Sequence, residues 1–181
     1  TIISVGHLTS RKGQDILIKI INFINKKYNK QINLLLVGSS YDSKFRIKIN
    51  NLIKSYNLKK QVKIVENANT KKLENLYLRS SIFILLSKIE LPHFEGFGIV
   101  NLEAIKFGLP IIISKESGAM DMLNYFKKIK SFNPNDLNKI SVEIINLLKK
   151  KYKFNTANKK ILKTFNRKNE FKLKKLYKKL N

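Results

Sequence analysis

The chain has 181 residues, enough for one domain with its own core, and its lack of cysteine excludes disulfides and thiolate metal sites. Two histidines are too few for a multi-histidine zinc centre. A net charge of +25 points first to polyanions, but nearly all of it is Lys, with Arg only at positions 11, 46, 79 and 167; readers of nucleic acid favour the planar fork of Arg, so no nucleic-acid partner is expected.

The predicted elements alternate along the chain. IISV (2–5) reads as a strand, and residues 14–28 as a helix with Ile16, Leu17, Ile20, Ile21 and Ile24 on one face. INLLLV (32–37) is a strand, 44–56 a helix, VKIV (62–65) a strand and 71–79 a helix. IFILL (82–86), a helix over 98–107 and PIIIS (110–114) follow, and after the turn at FNPND (132–136) comes a last patterned helix over 137–148. Continuous apolar strands separated by single helices predict a doubly wound α/β fold, a parallel sheet covered on both faces. Ligands of such sheets sit beyond the carboxyl ends of the strands. The longest apolar runs are of strand length, far short of a membrane span, and no signal peptide is visible, so a soluble protein is expected. The opening TIISVG lies directly inside a strand and lacks Met, which suggests missing upstream sequence.

Three stretches carry chemistry. In FEGFGIVNLEA, Glu95 falls in the loop after a strand, Gly98 opens a helix and Glu103 falls in its second turn. Unpartnered amides of a first helical turn, here around Phe97, Gly98, Ile99 and Val100, suit a phosphate, and Glu103 suits a diol such as ribose. A capping Glu95 and a solvated Glu103 are the plain alternative. SVGHLTSRKGQDIL places His7, Arg11 and Lys12 in a basic loop between a strand and a helix opened by Gly13, where cations could neutralise a diphosphate, or could simply be solvated. In SKESGAMDML, Ser117, Gly118 and Ala119 form a small-residue turn before a helix, open to a sugar or serving only as a connection.

SVGHLTSRKGQDIL, LLLVGSS, SSIFILLS, FEGFGIVNLEAIKFGLPIIIS and SGAMDML resemble, in order and spacing, the nucleotide-binding half of retaining glycosyltransferases of family 4 over roughly residues 2–150. The resemblance implies the C-terminal, Rossmann-like half of a GT-B fold, with the N-terminal acceptor-binding domain absent from this chain. It implies Glu95 beside the donor sugar and Glu103 on the ribose as the two acids of an E-x7-E motif. It implies backbone contacts from Phe97, Gly98, Ile99 and Val100 to sugar and distal phosphate, and Lys12 as the clamp on the diphosphate. His7 stands where the family has an Arg, with Arg11 a substitute; Ser39-Ser40 replaces a glycine-rich turn, and Glu66 a glycine of the base-contacting loop.

The resemblance thus implies a donor-nucleotide domain over 1–150 and a basic helical tail over 151–181 that packs on the missing half; the alternative, read from the Lys-rich composition of the tail, is a basic helix lying on an anionic membrane. The donor would be a UDP-, GDP- or ADP-sugar, with no metal or cofactor, and the acceptor a glycan or lipid-linked glycan of surface polysaccharide or envelope synthesis. The setting would be cytoplasmic, at the inner face of the membrane if the tail binds there. The alternatives are a degenerate sugar-nucleotide-binding module without turnover and a basic binder of nucleic acid or membrane surfaces.

Overall fold

The computed structural model describes residues 1–90, 98–124, 126 and 128–150. The elements run β1 (Ile2–Val5), α1 (Gln14–Tyr28), β2 (Leu34–Val37), α2 (Ser43–Ser55), β3 (Val62–Val65) and α3 (Thr70–Leu78), then β4 (Ile82–Leu85), α4 (Ile99–Lys106), β5 (Ile111–Ser114), β6 (Ile129–Phe132) and α5 (Leu137–Lys149). Short 3-10 turns occupy Ser10–Lys12 and Gly118–Asn124. The last of these stands where the sequence led us to expect a helix after the small-residue turn.

All six strands are parallel, in the order β3-β2-β1-β4-β5-β6. The register aligns Val5 with Val37 and Val37 with Val65 on one side, and Ile2 with Ile82 on the other. β1, β4 and β5 are buried at every residue, as central parallel strands covered on both faces must be. One cluster of buried side chains fastens α1, α2 and α5 to one face of the sheet, and a second fastens α3, α4 and the Gly118–Asn124 turn to the other.

Helix starts follow from short polar side chains. Asp42 accepts a hydrogen bond from the Phe45 amide, Asn69 from Lys72 and Asp136 from Lys139, each satisfying a first-turn N–H that the helix itself leaves open. α1 closes at Asn29, whose φ of 48° is the left-handed conformation that Asn tolerates well.

The sixth strand corrects the sequence reading, which assigns no strand to residues 129–132. β6 pairs only with β5, and only Ile129 of its four residues is fully buried while Lys130 is exposed. With Lys130 and Ser131 in its middle, IKSF carries too little apolar pattern to announce a strand; Lys130 reaches Glu143 of α5 at 2.9 Å instead. The basic tail expected over 151–181 lies outside the described residues.

Candidate functional site

β1 is followed through α1 by β2 on one side, while its other neighbour, β4, is followed through α4 by β5 in the opposite direction. The connections leaving β1 and β4 therefore diverge, and a crevice opens between the carboxyl ends of these two strands. The loop after β1 lies there, as do the first residues after β4 and the start of α4.

The loop after β1 is built by glycine. Gly13 has φ of 70° at the start of α1, and a Cβ on it would stand 2.2 Å from the carbonyl oxygen of Leu86. Only glycine lets α1 begin this close to the end of β4. A Cβ on Gly38 would likewise meet the Gly6 carbonyl oxygen at 2.2 Å, so the turns after β1 and β2 also touch backbone to backbone. Hydrogen bonds then join the loops. The Lys88 amide donates to the Arg11 carbonyl at 2.8 Å, Ser10 Oγ donates to Glu90 at 2.7 Å and the Ile89 amide donates to Glu116 at 3.1 Å. Loops after β1, β4 and β5 are thereby fixed to one another at one edge of the sheet.

Of the expected cations, Lys12 ends the Ser10–Lys12 turn and folds back over Gly6, its Cε and Nζ lying 3.5 and 3.9 Å from where a Cβ of that glycine would be. Arg11 precedes it in the same turn. His7 is exposed; its ring stands 5.1 Å from that of Tyr41, and its carbonyl accepts a hydrogen bond from the buried Gln14 side chain. It is neither a core nor a capping histidine.

The start of α1 holds a carboxylate that sequence reading overlooked. Asp15, in the first turn of α1, is buried to 4% side-chain exposure and pairs with Lys48 of α2 at 2.7 Å and Lys88 at 3.9 Å. A buried charge of this kind is tolerable only with such partners. Its first-turn position also suits the positive end of the helix dipole.

On the other side of the crevice, Gly98 caps α4 with φ of 68°, and Ile99 and Val100 form the open first turn. Ile99, the first residue of the helix, is 74% exposed, and no side-chain hydrogen bond caps it at Gly98. Glu95, Gly96 and Phe97 lie outside the described residues. Glu103 is half-buried in the second turn, and its Oε2 accepts a hydrogen bond from the Tyr77 hydroxyl at 3.0 Å. Tyr77, on α3, is 1% exposed and its ring stacks on Phe107 at 5.1 Å with an interplanar angle of 11°. Burial first, and then the Glu103 charge and hydrogen bond, push the Tyr77 hydroxyl well above the ordinary tyrosine value, so it stays a donor at neutral pH. The solvated reading of Glu103 therefore does not hold. Tyr77 was missed because an aromatic on an amphipathic helix reads as core; the usable signal was its hydroxyl, which seeks a partner when buried.

The residues that depart from the family pattern also have local roles. Ser39 accepts a backbone hydrogen bond from Leu8 at 3.0 Å, and Glu66 stands 3.7 Å from Arg46. Ser117 Oγ accepts from the Ala119 amide and Ser114 Oγ from the Glu116 amide, which shapes the turn after β5. Among the described residues no group of three His, Asp or Glu gathers to hold a metal, and no helix is long and apolar enough to cross a membrane.

A basic turn, an open helix N-terminus and a held carboxylate at one sheet edge suit an anionic ligand that also carries hydroxyls. An uncharacterized glycosyltransferase of Haemophilus influenzae is 38% identical over 112 residues, covering 62% of this chain and 29% of that protein. The chain spans less than a third of the length of the curated relatives it matches. In fold it resembles Anabaena HepE, solved in complex with UDP (TM-score 0.68, 21% identity, covering 82% of this chain and 39% of that one). It also resembles the C-terminal domain of LpcC, a glycosyl transferase group 1 family protein of Francisella tularensis (TM-score 0.67, 21% identity, covering 82% of this chain and 75% of that one). The family model for glycosyl transferases group 1 matches residues 1–178, and the chain belongs to that family.

Proposed function

We propose that this chain is the donor-binding, C-terminal half of a retaining, metal-independent glycosyltransferase of family 4, taking a nucleoside diphosphate sugar. The observation that carries the reading is the pairing, at the β1/β4 crevice, of a lysine-bearing turn with a helix that presents an open N-terminus and a fixed carboxylate. That HepE was solved with UDP supports the class of donor. Lys12, with His7 and Arg11 beside it in the loop, would meet the diphosphate; the amides around Phe97, Gly98, Ile99 and Val100 the distal phosphate and sugar; and Glu103 the ribose hydroxyls.

In the reaction, the bond between the anomeric carbon and the terminal phosphate oxygen breaks and its electron pair leaves with the phosphate. The acceptor hydroxyl oxygen bonds to the same face of the sugar, and its proton passes to the departing phosphate. Charge grows on that phosphate, and a pre-placed ammonium and helix N-terminus lower the barrier by stabilising it. Glu95 takes an electrostatic and positioning role beside the sugar. The acceptor, a glycan or lipid-linked glycan of surface polysaccharide or envelope synthesis, would be held by an N-terminal half.

Calorimetric titration of the chain with UDP, GDP and ADP tests the reading. One nucleotide binds, and Glu103→Ala weakens it at least tenfold; equal, salt-sensitive binding of all three that ignores the substitution overturns it. A second reading, donor binding without turnover, is favoured by His7 in the place of the family's Arg. It fails if the enzyme restored with an N-terminal half transfers sugar and Glu95→Ala stops transfer.

A further inference from the structure

We propose that Tyr77 is a positioning residue for donor recognition: its hydroxyl holds one oxygen of Glu103 so that the other faces the ribose diol. The inference rests on the ribose role of Glu103 and adds a residue from a different helix to that site.

The geometry allows the Tyr77 hydroxyl little choice. It has one proton to donate; the Val100 carbonyl lies at 3.5 Å, too far for a good hydrogen bond, and Glu103 Oε2 at 3.0 Å. The ring cannot swing away, because it is stacked on Phe107 at 5.1 Å and set against Phe83 at 6.2 Å. A glutamate on a helix surface ordinarily samples several rotamers, and ordering it on ligand binding costs affinity. Tyr77 removes that cost before the ligand arrives. A carboxylate has room for about four hydrogen bonds, so one taken by Tyr77 leaves capacity for two hydroxyls. The high proton affinity of the buried hydroxyl keeps it a donor through the range in which enzymes work.

The test measures the affinity of UDP, GDP and ADP and of their 2′-deoxy forms for wild type, Tyr77→Phe, Glu103→Ala and the double variant, by calorimetry. Tyr77→Phe weakens the preferred ribonucleotide about fivefold and shrinks the ribo-to-deoxy ratio, a change of the size that a typical hydrogen bond contributes. Added to Glu103→Ala it has no further effect, since both act on one interaction. Ile144→Ala, a core change on the opposite face of the sheet, serves as the control: it lowers the melting temperature and leaves the ratio intact. If Glu103→Ala abolishes the ratio while Tyr77→Phe preserves it, the positioning role is overturned and the ribose site stands. If neither variant changes the ratio, the ribose reading falls and this inference with it. If Ile144→Ala shrinks the ratio as much as Tyr77→Phe, the effect is loss of stability and the positioning role is overturned.

Discussion

Against one face of the sheet, α1, α2 and α5 bury an almost wholly aliphatic layer, with Phe45 the one aromatic among its fully buried members. Against the other, α3, α4 and the turn after β5 bury Tyr77, Phe83 and Phe126 and pack Phe107 beside them. The aliphatic layer can supply only adhesion and shape, each buried side chain contributing about 2 kcal/mol. The aromatic layer does this too, but the polar tip of Tyr77 passes through it to reach Glu103 at the rim of the crevice. One face mainly keeps the sheet together. The other transmits an orientation to the site.

Substitutions should separate these duties. The largest effect is expected at the seam between them: Gly13→Ala puts a methyl into the Leu86 carbonyl and an unsuitable side chain at φ of 70°, for a loss of roughly 4 kcal/mol in chemical denaturation. Because the same contact fixes the loop after β1, nucleotide affinity falls with it in the fraction that remains folded. Ile20→Ala, in the middle of the aliphatic face, should cost about 3 kcal/mol by the same assay. Here affinity of the folded protein stays unchanged; a parallel loss of binding would show that the two faces are not separable.

The smallest effect is a pH dependence. Folded Tyr77 keeps its proton above the ordinary value of 10.0, whereas the unfolded chain releases it there, so raising the pH favours unfolding. Tyr77 thus lends its full contribution below pH 10 and withdraws it above. Wild type should lose ~1 kcal/mol more than Tyr77→Phe between pH 10 and 11, read from denaturant midpoints at each pH. The lysines and the other tyrosines titrate in both proteins and cancel in the difference. Equal slopes would mean that the hydroxyl is not held as the aromatic face requires.

Much of this was legible in advance. Strands β1 to β5, the edge strand β3 among them, and the five helices followed from apolar runs and helical periodicity, and Lys12, Gly98 and Glu103 were named from the spacing of loops and glycines. The amphipathic pattern also put the right face of α1 inward, since Ile16, Leu17, Ile20, Ile21 and Ile24 are all buried. β6 escaped because IKSF carries Lys130 and Ser131 in its middle, whereas the other edge strand, β3, announces itself with three β-branched residues in VKIV. Asp15 escaped because a lone acid in a helix ordinarily reads as solvated, and nothing near it in the chain reveals Lys48 and Lys88.

The order of strands and helices, the basic loop and the carboxylate on α4 were therefore written locally: they depend on which residue types recur over a few positions, and periodicity records that directly. The pairing of Tyr77 with Glu103 across 26 residues, and of Ser10 with Glu90 across 80, came from packing. Such contacts are set by how two helices lie on a twisted sheet and by how closely glycine lets backbones approach. Side chains far apart along the chain meet only once that layer has formed.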